Sequence, residues 1–212
     1  MTLHEAHLHA VIEGDSADLP RASSETYLER WQPLWLRYLD TSSEPDNLYG
    51  RVAMALAERL RLPLRGQPLL DALESRQQEM TTRLQRLAEE SQRLDGDIER
   101  LQTTLRRALA QRWPAAAHPH TAAYARFLAH DVGTAQAFLV AQTATYPTLV
   151  ARQERQAQIA RDQQALDRQL TQFDKLLRMR QLARLQRQFE RHASSTARQE
   201  FDRLTRCEQT RP

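Results

Sequence analysis

Leu73, Met80, Leu84, Leu87, Leu94, Ile98, Leu101 and Leu105 fall on a repeat of three and four residues, with only Gln77 and Ser91 standing in apolar places. No proline interrupts this stretch, and a stripe of that period is buried only against another long helix. A second stretch, from Leu149 to Leu204, is also free of internal proline and glycine. In it Ile159, Leu166, Leu170, Phe173 and Leu177 keep heptad spacing. The five-residue step to Leu182 then shifts the phase before Leu185, Phe189, Phe201 and Leu204 resume it. Pro114, Pro119, Gly133 and Pro147 punctuate the segment between. The pattern predicts an all-α protein. Residues 67–212 form a long antiparallel two-helix coiled-coil hairpin, with helices at about 68–113 and 148–207 and a tip at 114–147. Leu87 and Leu94 are expected opposite Leu170 to Leu177. Inside the tip, Thr121 to Asp131 reads as one short helix and Ala135 to Thr143 as another.

Upstream of the hairpin the pattern predicts a short helical extension. Residues 1–25 are polar and read as a flexible tail. Residues 26–66 hold the most aromatic piece of the chain, with Tyr27, Trp31, Trp35 and Tyr38. The run from Thr41 to Asn47 reads as a loop. Leu48 to Leu62 follows as an amphipathic helix, placing Leu48, Val52, Leu56, Ala57 and Leu60 on one face.

Composition supports length over a cavity. Charged residues make up 27% of the chain and aromatics 6%, with five glycines, the usage of long helices. No apolar run approaches the roughly 20 residues that cross a bilayer, and residues 1–18 lack the basic start and apolar stretch of a secretory signal. Cys207 is the single cysteine, so no internal disulfide forms and a cytoplasmic location is expected. A catalytic thiolate needs a base and a lowered pKa, and Cys207 has no histidine near it in sequence. No glycine-rich phosphate loop is present. The chain is therefore expected to be no enzyme and to use no cofactor. His4, His7 and His9, and His118 with His120, lack cysteine companions and read as a polar tail and a turn, not a zinc site.

The thirty basic residues include one lysine, and residues 145–212 hold fourteen of them against eight of the twenty-seven acids. Lys175, Arg178, Arg180, Arg184, Arg187 and Arg191 face one acid, Glu190, in that stretch. Arg180, Arg184, Arg187 and Arg191 recur at helical spacing and form a continuous basic stripe. Such a stripe neutralises phosphates, meets an acidic protein surface, or forms the solvated face of a coiled coil. No stacking aromatics alternate with the arginines as they do in single-strand binders.

Four motifs carry a family resemblance from Arg65 onward. They are Gln67-Pro68-Leu69-Leu70-Asp71-Ala72-Leu73-Glu74-Ser75-Arg76-Gln77, Tyr124-Ala125-Arg126-Phe127-Leu128, Phe173-Asp174-Lys175-Leu176-Leu177-Arg178-Met179-Arg180, and Arg198-Gln199-Glu200-Phe201-Asp202-Arg203-Leu204-Thr205-Arg206. Together they resemble the opening, tip, second helix and end of the FliJ/YscO family, the stalk proteins of bacterial type III export machines. The resemblance implies a non-enzymatic cytoplasmic hairpin that couples a hexameric export ATPase to the cytoplasmic domain of the export gate and handles chaperones. It implies gate contacts at Leu101, Leu105, Tyr124, Phe127 and Leu128, and ATPase-pore contacts at Arg76, Arg198, Arg203 and Arg206. Residues 1–66 depart from the family, which begins where Gln67 stands. Two other readings compete: a basic helical nucleic-acid-associated protein of replication or plasmid maintenance, and a self-assembling coiled-coil scaffold.

Overall fold

The computed structural model describes residues 2–14, 21–35, 46–142 and 145–209, and every regular element among them is helical. In chain order these are α1 (Leu3–Glu13), α2 (Ser23–Trp35), α3 (Leu48–Arg59), α4 (Gly66–Arg112), a 3-10 turn at Pro114–Ala117, α5 (Ala122–His130), α6 (Val132–Val140), α7 (Thr145–His192) and α8 (Ser195–Gln209). No helix is long and apolar enough to cross a membrane, among the described residues. The two long helices, α4 and α7, pack together. The chain divides into two compact units, one of residues 1–81 and 165–212 and one of residues 82–164.

The first unit corrects the reading of its N-terminus. Residues expected as a loose tail form α1, started by a capping box in which the Thr2 hydroxyl accepts from the Glu5 amide at 3.1 Å while the Glu5 carboxylate accepts from the Thr2 amide at 2.7 Å. Two orphan amides are thereby satisfied. Leu8 and Val11 then enter a core shared with Leu28 of α2, Val52 and Leu56 of α3, Leu69 and Leu73 of α4, Phe173, Leu176 and Phe189 of α7, and Phe201 of α8. Asn47 caps α3 by accepting from the Gly50 amide at 3.0 Å. Arg61, at φ +53, closes the same helix in the left-handed region, and the Leu62 amide returns to the Ala57 carbonyl at 2.9 Å. Trp35 lies in α2 with its side chain outside the described set, as are Tyr38 and most of the loop expected at Thr41 to Asn47.

The last long helix was expected to continue to residue 207. It stops instead at His192, and Ser194 starts α8 by accepting from the Ala197 amide at 3.2 Å. The phase shift after Leu177 also has a structural cause. From Gln172 to Phe189, α7 buries two adjacent stripes, including Phe173, Leu176, Met179, Leu182, Ala183, Leu185 and Phe189, while Leu177 is only partly covered. A helix packed on more than one side needs a broader apolar arc than a two-position seam.

In the second unit the apolar repeat is buried as expected at Leu87, Leu94 and Leu105, against an α7 stretch that buries Leu149 and Ile159. Arg155 pairs with Glu90 at 2.7 and 2.9 Å, Gln156 bonds Asp95, and Arg152 lies 3.6 Å from Asp97. Moving forward along α4 therefore means moving backward along α7. The register differs from expectation: the α4 turns between Leu87 and Leu94 face Arg155, not Leu170 to Leu177. Thr148 of the first turn of α7 sits beside Leu101, so the last turns of α4 run past the start of α7. There the tip closes on itself, with Trp113 5.5 Å from Phe138 and 6.3 Å from Phe127, ring centroid to centroid. Thr121 caps α5 through the Tyr124 amide at 3.1 Å.

These contacts reverse an expectation about Phe127, which a two-helix tip would leave uncovered. It is only 6% exposed, because α5 and α6 fold its ring against Trp113 and Tyr124. Phe127→Ala should therefore cost about 3–5 kcal/mol in urea denaturation, and Leu94→Ala about 2–5 kcal/mol. Leu128→Ala, at a half-exposed position, should fall within about 0.5 kcal/mol of the parent.

Candidate functional site

The basic stretch of α7 is the densest group of chemistry in the chain, and the structure turns much of it inward. Lys175 is 1% exposed and donates to the Gly14 carbonyl at 2.6 Å. Gln172 donates to the same oxygen at 2.8 Å, so the C-terminal end of α1 rests on a cation and an amide. Arg178 donates through Nη2 to Glu25 at 2.8 Å and through Nε to Glu29 at 3.1 Å. Arg180 is 3% exposed, Arg184 and Arg187 are half-buried, and Arg191 is exposed. Glu190 bonds Gln186 at 2.8 Å, one turn away. Helical spacing could not reveal that α1 lies over Lys175 and α2 over Arg178.

Glu25 is the acid that organises this packing. Its carboxylate is fully buried and receives Arg178 on one oxygen and His7, at 2.7 Å, on the other. Glu29, one turn on, is also met by Arg21 at 3.4 Å. Nearby, Glu208 of α8 accepts from the Ser24 amide at 2.8 Å and from its hydroxyl at 2.6 Å, placing a carboxylate at the N-terminal end of α2 where free amides and the helix dipole favour one. His4 lies 3.4 Å from Glu208. His4 and His7, read from the sequence as part of a polar tail, lie in α1, where His7 bonds Glu25 and His4 approaches Glu208, and no group of three or more metal-ligating side chains occurs among the described residues. Leu3, His4, His7, Arg21 and Glu208 border an open depression of about 200 Å³.

Tyr49 and Ser24 complete the cluster, their hydroxyls 3.3 Å apart. Burial pushes the Tyr49 phenol well above its ordinary value, and burial with the Glu200 carboxylate raises Tyr27 in the same direction. Neither tyrosine was singled out by sequence for this role. Tyr27 was read only as one of several aromatics. Its hydroxyl donates to Glu200 at 2.8 Å while its ring packs on Phe189 and Phe201.

The arginines expected to face a pore separate into two groups. Arg76 is turned inward, donating to the carbonyls of Leu60 at 2.8 Å and Arg61 at 3.3 Å. It therefore caps the end of α3. Arg198, Arg203 and Arg206 lie exposed on α8. Among the expected gate-facing residues, Leu105 and Phe127 are buried, Leu101 and Tyr124 are half-buried, and Leu128 is 46% exposed. Two residues that sequence reasoning passed over extend the exposed apolar set: Val132 at 49% and Val140 at 51%, both on α6. Cys207 is exposed.

A raised folded-state pKa means that the unfolded tyrosine ionises first. Stability from Tyr49 is complete below about pH 10, the ordinary tyrosine value, and declines as pH climbs from there toward the folded value. The slope for one such group reaches at most about 1.4 kcal/mol per pH unit. Chemical denaturation between pH 8 and 11 should show this loss, and Tyr49→Phe should flatten it. No family model, curated protein or solved structure matches the chain.

Proposed function

We propose that the protein is a non-enzymatic helical adaptor, a stalk component of a bacterial type III secretion machine that couples the export ATPase to the export gate. Its long helices act as an antiparallel coiled-coil hairpin that presents the tip to the gate domain. One observation carries the adaptor reading: the tip, having folded Phe127 into its own core, still leaves Leu128, Val132 and Val140 about half exposed on a segment whose only charges are Arg126 and Asp131. Apolar side chains grouped on a short, nearly uncharged segment favour contact with another protein. The opposed order of the Glu90–Arg155 and Asp97–Arg152 pairs supports the hairpin. The specific machine rests on the resemblance of the chain from Arg65 onward.

The N-terminal extension modifies the picture drawn from that family. Residues of α1, α2 and α3 share one core with the first turns of α4 and the end of α7, so a bare pair of helix ends is not what meets an ATPase. The exposed arginines of α8, Arg198, Arg203 and Arg206, are the remaining candidates for that contact, and Arg76 is withdrawn from it. Of the stripe behind the nucleic-acid reading, Arg180 is buried while Arg184 and Arg187 are half-buried and Arg191 is exposed, and Lys175 and Arg178 beside it are bonded inside the protein.

The purified chain should bind the gate's cytoplasmic domain and the export ATPase in separate titrations. Leu128→Asp with Val132→Asp should weaken the gate complex by about 1–3 kcal/mol with helicity unchanged. Arg203→Glu with Arg206→Glu should weaken the ATPase complex alone. Absence of both complexes, or tight sequence-selective nucleic-acid binding at physiological salt, would overturn the reading.

A further inference from the structure

Charge is segregated along the second unit. In α4 the last acid is Glu99, and in α7 the first is Glu154. Between them the chain carries six arginines, at 100, 106, 107, 112, 126 and 152, against one acid, Asp131. Asp97 pairs with Arg100 and lies 3.6 Å from Arg152. The other four, Arg106, Arg107, Arg112 and Arg126, are exposed and meet no acid among the described residues. Arg106 reaches only Gln102, and Arg112 lies over the Trp113 ring at 5.7 Å. Trp113 packs in turn on Phe127 of α5 and Phe138 of α6, the two helices that expose Leu128, Val132 and Val140. Arg106 to Arg112 spans about 9 Å of helix, so an uncompensated basic collar borders the aliphatic group.

We propose that this end of the second unit docks on an anionic phospholipid surface, with the four arginines on headgroup phosphates and the aliphatic side chains at the edge of the acyl layer. Guanidinium groups bond phosphate oxygens in pairs. Basic residues beside exposed leucine and valine are the composition of an element that lies on a bilayer without crossing it. An acidic protein matches the charge, but it must also shape a pocket around Leu128, Val132 and Val140. Their neighbours Ala125, Ala129 and Ala137 are exposed as well and give such a pocket little to grip, whereas a fluid lipid surface needs no shape match. Nucleic acid matches the charge and not the aliphatics, and the rings that stack on bases elsewhere are here turned to one another, Trp113 and Tyr124 on Phe127. Each arginine near an anionic surface gives about a fivefold gain in binding, so four give a gain on the order of several hundredfold. The inference does not rest on the secretion-machine reading, which leaves the collar unused.

The test is co-sedimentation of the full chain with vesicles of phosphatidylcholine, alone or with about 30% phosphatidylserine. The unmodified protein should bind the anionic vesicles about 100-fold more tightly than the neutral ones, and added salt should weaken the binding. Arg106→Gln with Arg107→Gln, both at exposed positions, should weaken it about 25-fold with helicity unchanged. Val140→Asp should weaken it too, by setting an acid against the phosphates. Arg83→Gln with Arg86→Gln removes the same charge from exposed positions of α4 outside the collar and should leave binding unchanged. Equal binding to neutral and anionic vesicles, or an equal loss in the two arginine pairs, overturns the proposal. Binding to polyglutamate or duplex DNA as tight as to anionic vesicles also overturns it, making an acidic protein or a nucleic acid the occupant. The assay contains no gate domain, so this inference and the adaptor reading stand or fall separately.

Discussion

The stretch of α7 from Gln172 to Phe189 sets the terms for the first unit. It carries apolar side chains on a wide arc and, interleaved with them, Lys175, Arg178 and Arg180. One neighbouring helix covers only one stripe of such a surface, leaving Phe173 or Phe189 in water. Covering the whole arc takes helices on several sides, and the chain supplies them from both of its ends. The apolar side of α3 and the first turns of α4 join the aliphatic part, α8 brings Phe201 to Phe189, and α1 and α2 bring a carbonyl and two acids to Lys175 and Arg178. The N-terminal extension is thus part of the same core as the long helices and no appendage to them.

Among the described residues, the buried Glu25 and Lys175 each meet polar partners. Glu25 would be very costly in that interior by itself, and it is tolerated because Arg178 and His7 divide its two oxygens. Lys175 finds the carbonyl end of α1, and Glu208 finds the amide end of α2. Pairs of this type add little net stability compared with apolar residues of similar size, since desolvation offsets most of the Coulomb gain. Geometry is what they contribute: Arg178 fits two acids one turn apart, which fixes the rotation of α2 on α7. The aromatic contacts of Tyr27, Trp31, Phe189 and Phe201 then provide the burial that holds it there.

How far this was readable beforehand depended on the range of each interaction. The helices and their apolar faces were legible, since Leu87, Leu94 and Leu105 repeat at a period that only a helix satisfies. Capping signals were present and undervalued: Thr2 with Glu5 started α1 inside a supposed tail, and Ser194 split the last helix. The register of α4 on α7 was not legible, because a heptad repeat permits shifts by whole heptads and the choice was made by polar pairs such as Glu90 with Arg155. The burial of Arg178 under α2 was the least accessible feature. It depends on Glu25 and Arg178, separated by more than 150 positions, and neither helix alone betrays the other. For the tip, the aromatic triad of Trp113, Phe127 and Phe138 was spread from the end of α4 through α5 to α6, so a reading of α5 alone counted Phe127 as surface.

The two candidate contact regions differ in chemistry, and that difference has a functional consequence. On α5 and α6 the exposed groups are aliphatic, and attraction between apolar surfaces changes little with moderate salt. On α8 they are arginines in contact with water, whose pull on an acidic partner is screened over about 8 Å at physiological ionic strength. A protein that holds one neighbour by burial and another by charge can exchange the second quickly while keeping the first. Long-range attraction speeds encounter more than it slows departure. Such a division suits an adaptor that stays with a fixed component and cycles against a working one. Under the proposed function, the lasting contact would fall to Leu128, Val132 and Val140 and the renewable one to Arg198, Arg203 and Arg206.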